Sequence, residues 1–93
     1  MSVQGTATLD FTSGGATDVT LDITGQTTIT GTNLVDAWLI PAATADHTAD
    51  EHLVEEMEVM AGSVVAGTGF TIYGKTRGGF KIYGRWNVGW VWN

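Results

Sequence analysis

Polar and apolar residues alternate from the start of the chain. Val3, Gly5, Ala7, Leu9 and Phe11 fall on one side and Gln4, Thr6, Thr8 and Asp10 on the other, the period of two expected of a half-buried strand. Thr12–Thr17 has turn composition, and Val19, Leu21 and Ile23 then resume the alternation. The opening therefore predicts a β-hairpin. Gly25-Gln26 predicts a second turn, followed by a short strand over Thr27–Thr30. Leu34–Ile40 is apolar apart from Asp36, which predicts a strand buried on both faces and stopped by Pro41. Ala42–Asp50 has no period and predicts an exposed, mobile loop.

Residues 51–61 fit two periods. As a helix, Leu53, Val54, Met57, Met60 and Ala61 share a face, with Asp50 as cap and Gly62 as stop. As a strand, Leu53, Met57 and Val59 share a face with Glu55. The flanks are β, and Val59–Val65 reads as strand, tight turn, strand. A strand is therefore preferred, with one short helix within 51–61 as the alternative. Phe70–Lys75 and Phe80–Arg85 match one another (Phe-Thr-Ile-Tyr-Gly-Lys, then Phe-Lys-Ile-Tyr-Gly-Arg) and predict a hairpin with Gly78 left-handed in the loop and Ile72 opposite Ile82. Trp86, Val88, Trp90 and Trp92 continue the face of Phe80 and Ile82, so the last segment predicts a core strand with no loose tail.

Composition reinforces this pattern. The chain has 93 residues, 13 glycines and no cysteine. That is one small domain over residues 1–93, whose packing must do without disulfides. The fold class expected is all-β, a compact antiparallel β-sandwich or barrel. No apolar run is long enough to cross a membrane, and the first residues lack the basic and apolar regions of a signal peptide, which suggests synthesis in the cytoplasm. The net charge of −6 is unevenly distributed. All four basic residues (Lys75, Arg77, Lys81 and Arg85) lie in one short stretch, and all ten acidic residues lie at or before Glu58. Opposite fields of this kind suit packing of copies or docking on a charged partner.

Candidate chemistry is sparse. Asp46, His47, Asp50, Glu51 and His52 contain metal-capable groups, but the histidine spacing matches no familiar site and a solvated acidic loop explains them better. Glu55, Glu56 and Glu58 have no partner nucleophile, and Ser13 and Ser63 fall in expected turns. No enzyme activity, metal or cofactor is expected. Lys75, Lys81 and Arg85 interleave with Tyr73, Tyr83 and Trp86 in the manner of a nucleic-acid surface, yet the acidic balance of the chain opposes nucleic-acid binding. The residues best placed to meet a partner are Tyr73, Lys75, Arg77, Lys81, Tyr83 and Arg85. Tyr73, Tyr83 and Trp38 also suit a carbohydrate-binding or receptor-binding module.

Three stretches carry a resemblance: Ala42–His52, Ala66–Tyr73 and Trp86–Trp92. Together they resemble small virion structural proteins encoded among the head and tail genes of tailed bacteriophages. The resemblance covers roughly the C-terminal half and implies a structural role with no defined site. On that footing the expected function is capsid decoration or cementing in the virion, by binding the major capsid protein or other virion proteins, with a tail or fibre component as the alternative. A homo-oligomer, first a trimer, is the expected assembly state.

Overall fold

The computed structural model describes residues 2–93. The elements in chain order are β1 (Val3–Asp10), β2 (Asp18–Ile23), β3 (Val35–Leu39), α1 (Ala49–Val54), β4 (Met57–Val65), β5 (Gly69–Thr76) and β6 (Arg85–Trp92). They build two three-stranded antiparallel sheets, β1–β6–β3 and β2–β5–β4. The sheets face one another as a sandwich, so the chain is all-β with one short helix.

Alternation places the core. Leu9 and Phe11 from the first segment, Phe70 and Ile72 from β5, and Trp86, Val88, Trp90 and Trp92 from β6 enter the space between the sheets. Each large apolar side chain buried this way contributes about 1.5–3 kcal/mol. As the central strand of its sheet, β6 brings three tryptophans into the core without disulfide support. Gly5 pairs with Trp90, and a Cβ there would overlap the indole. Glycine is what lets that ring lie against β1.

The faces of β1, β2, β5 and β6 match the pattern, whereas Phe80, expected on the core face with Ile82, is exposed, and several pairings differ. β1 and β2 are not a hairpin but lie in opposite sheets. Phe11 keeps the apolar phase and is fully buried, so the chain must cross the edge of the core straight after it. Thr12 (φ 68°) and Gly15 (φ 79°) make that crossing, and Ala16 then bridges Ile82. The expected Phe70–Arg85 hairpin is likewise absent. β5 already has β2 on one side and β4 on the other, which leaves no edge for residues 80–85. Ile72 and Ile82 are both buried, but Ile72 stands opposite Leu21 and Ala61 while Ile82 bridges Ala16.

Four smaller corrections have the same origin. Thr27–Thr30 is turn rather than strand, with Ile29 buried as a plug. β3 is an edge strand buried on one face only, with Asp36 and Trp38 turned outward and Leu34 largely exposed. Residues 51–61 divide between the two readings. α1 is capped by Thr48, not Asp50, because Thr48 and Glu51 form a reciprocal capping box. Its apolar residues Leu53 and Val54 are exposed. β4 then runs unbroken to Val65, with a bulge between Gly62 and Val65 in place of the expected tight turn.

Candidate functional site

The outward face of β2–β5–β4 is built by register. Residues directly opposite one another in antiparallel strands point to the same side. Three rows result: Asp18–Lys75–Glu58, Thr20–Tyr73–Met60 and Asp22–Thr71–Gly62. In the first row, Lys75 Nζ lies 3.3 Å from Glu58 Oε2, and Arg77 Nε approaches Glu58 Oε1 at 3.8 Å. Exposed pairs of this kind add little stability and serve mainly to set local charge. In the third row, Thr71 Oγ1 donates to Asp22 Oδ1 at 3.0 Å. The middle row is apolar at its centre: Met60 is 58% exposed and Tyr73 38% exposed. The Tyr73 hydroxyl is hydrogen-bonded to Ser63 Oγ, which fixes the ring over the sheet. A groove of about 440 Å³ opens beside it, lined by Thr17, Asp18, Thr20, Tyr73, Lys75 and Thr76 among others.

A second cluster sits where the Ala42–Val54 segment docks on the start of β6. The Asn87 side chain donates to the carbonyls of Ala42 (2.7 Å) and Ala43 (3.2 Å). Arg85 donates to Asp46 Oδ2 through both its backbone N–H and Nε, each at 2.8 Å. Those bonds hold the Asp46 carboxyl below its ordinary value, the side-chain bond from Arg85 being the larger cause. The segment is exposed, as its composition predicts, but it is tied down rather than hanging free.

The two histidines in this cluster have opposite hydrogen-bonding roles. The His47 ring stacks on Trp86 with centroids 3.7 Å apart. Its Nδ1 faces Glu51 Oε2 at 2.9 Å, and its Nε2 faces the Tyr83 carbonyl. Both partners are acceptors, so only the imidazolium, with two N–H donors, satisfies both. Desolvation opposes that charge, but Glu51 and the Tyr83 carbonyl outweigh it and raise the His47 pKa. The same contact with His47, helped by the Thr48 N–H, lowers Glu51. His52 is buried and differently bonded. Its Nδ1 donates to the Thr48 carbonyl at 2.8 Å, and its Nε2 accepts from the Asn87 N–H at 3.0 Å. Both of its ring nitrogens are thereby paired with backbone groups.

Among the described residues, no group of three or more His, Cys, Asp or Glu is arranged to hold a metal ion. The ring nitrogens of both histidines are committed to the fold. No described helix is long and apolar enough to cross a membrane.

The six residues expected to meet a partner do not form one basic hairpin. Tyr73, Lys75 and Arg77 belong to the β2–β5–β4 side. Tyr83 and Arg85 belong to the docked segment, where Arg85 is engaged by Asp46. Lys81 is exposed and makes no ion pair among the described residues, with exposed Phe80 before it. Sequence reasoning missed Met60 and Glu58 as parts of the face. Their parity is visible in the chain, but their pairing with Tyr73 and Lys75 requires knowing that β4 lies beside β5. No family model matches the chain, and neither a curated protein nor a solved structure matches it.

Proposed function

We propose that this chain is a β-sandwich binding module that decorates or cements a bacteriophage capsid, docking through the outward face of β2–β5–β4. The observation that carries the docking reading is the Thr20–Tyr73–Met60 row. It places an aromatic ring and a flexible thioether side by side, exposed, within a border of charged and hydroxyl side chains. Apolar centre and polar rim is the anatomy of a protein interface. Tyr supplies a large, rigid contact surface, and Met adapts to the shape it meets. The virion setting rests on the resemblance of Ala42–His52, Ala66–Tyr73 and Trp86–Trp92 to head and tail gene products.

Repetition would do the rest. A small face that binds weakly once is strengthened when many copies occupy a lattice, provided neighbouring copies also touch. Lys75 and Arg77 flank the apolar row and would meet acidic groups, either on the shell or on the acidic β2 edge (Asp18, Asp22) of the next copy. The test is cosedimentation with shells that lack the protein. Binding should saturate at a fixed ratio to the capsid subunit and should be lost when Tyr73 and Met60 are both replaced by Ala. Unchanged binding by that double variant overturns this face as the contact.

A further inference from the structure

The opposite outward face, that of β1–β6–β3, carries a different arrangement. Its central row is Thr6–Gly89–Trp38. A Cβ built on Gly89 would stand 2.8, 2.9 and 2.9 Å from three ring atoms of the Trp38 indole. Near-equal distances to three ring atoms mean that the indole lies face-on over the bare backbone of β6. Any side chain at position 89 would lift it. Trp38 is nonetheless 42% exposed, so the face turned away from Gly89 meets solvent.

The groove beside that ring is lined by uncharged residues, with the exposed carboxylate of Asp36 one row away on the same face. It measures about 380 Å³, and its lining includes Gln4, Gly5, Thr6, Trp38, Ile40 and Gly89 among others, none of them ionisable. Its volume is within the range of about 300–1,000 Å³ usual for small-molecule sites. The Gln4 amide and the Thr6 hydroxyl make no side-chain hydrogen bond to another described residue and stand in adjacent rows of the same face. Their donors and acceptors are therefore available beside the open indole face.

The geometry points to a binding site for a neutral pyranose ring on Trp38. One face of such a ring presents several C–H bonds whose hydrogens are weakly positive, and the indole π face is weakly negative. The hydroxyls at the ring's edge need partners that both donate and accept, which an amide and a hydroxyl supply. A charged ligand finds no counter-ion in the lining. The site goes beyond the docking face: it lies on the other sheet and stands or falls independently of any place in a virion.

The test uses the four indole N–H resonances of the intact protein. Trp86 Nε1 donates to the Tyr83 carbonyl and Trp92 Nε1 to Gln26, which separates their signals from that of Trp38. The probes are cellohexaose, chitohexaose and a galactose hexasaccharide at millimolar concentration. The expected result is a saturable shift of the Trp38 indole with at least one probe, together with the backbone signals of Gln4, Thr6 and Gly89. Trp38→Ala should weaken binding about tenfold or more. Gln4→Ala should weaken it less, and Tyr73→Ala not at all. Trp38 is exposed on an edge strand, so its replacement should leave the other three indole signals in place. No response to any of the three probes overturns the site. So does a response that survives Trp38→Ala, or a Trp38 signal that moves only with protein concentration, which would make the ring a contact between copies.

Discussion

The two outward faces of this sandwich are built alike and dressed differently. Each is the back of a three-stranded antiparallel sheet whose front holds the core. On β2–β5–β4 the rows mix acids, a lysine and hydroxyls around Tyr73 and Met60. On β1–β6–β3 the central rows are uncharged apart from Asp36 and are dominated by one flat indole over a glycine. A partly charged rim around an apolar centre suits a protein surface, where complementary charges steer and orient the encounter. A platform whose groove lining is uncharged suits a small neutral ring. A third region, the docked segment with Arg85, Tyr83 and the two histidines, explains why the basic stretch does not act as one patch: part of its charge is spent holding the chain together.

The largest effect that would break this comparison is on docking. Replacing Tyr73 and Met60 together by Ala should weaken attachment to shells by about 2–4 kcal/mol, roughly 30- to 1,000-fold, whereas Trp38→Ala should leave attachment unchanged in the same cosedimentation assay. Equal losses from both would mean that the faces do not divide their roles. Next in size is the docked segment. Asn87→Ala removes the donors to the Ala42 and Ala43 carbonyls and should cost about 1–3 kcal/mol of stability in denaturant unfolding. Amide exchange over residues 42–54 should speed up while Tyr73-dependent docking persists.

A smaller effect should appear with pH. The His47 pKa is raised in the folded chain, so its stabilising contribution is fully present below about pH 6.5, the ordinary histidine value, and is lost as pH rises through the higher folded value. Asp46 and Glu51 are lowered. Their contribution is present above their ordinary range, near about pH 4–4.5, and is lost as pH falls. The melting temperature of His47→Gln should therefore differ from that of the parent chain most at about pH 5.5 and least at about pH 8.5; a constant difference would place His47 outside the titration. The smallest effect expected is that of Lys81→Glu, which should change stability by less than about 0.5 kcal/mol. Arg85→Glu sets a carboxylate against Asp46 and should destabilise visibly more in the same melts, so a double charge reversal cannot be read as a test of docking alone.

Much of the layering was legible in the residues. The alternation of Val3–Phe11 and of Arg85–Trp92 placed Leu9, Phe11 and the three C-terminal tryptophans in the core, because a period of two on a half-buried strand leaves few choices. Pairing was not legible. Phe70–Lys75 and Phe80–Arg85 look like hairpin partners because they share a motif, yet similarity says nothing about edges, and β5 has both edges occupied. The short helix was signalled by Thr48 and Glu51, whose capping-box spacing is present in the sequence. The apolar period pointed elsewhere because Leu53 and Val54 face solvent. Of the candidate site, Tyr73 and Lys75 were legible as outward residues; Met60 and Glu58 join them only through the β4–β5 register.

The most direct test of the proposed virion role is the copy number and position of this protein in purified particles, by quantitative mass spectrometry with cryo-imaging. We expect a copy number comparable to that of the major capsid protein, with density on the outer shell and the Tyr73 face turned inward. A handful of copies at the tail, or absence from the particle, would contradict it.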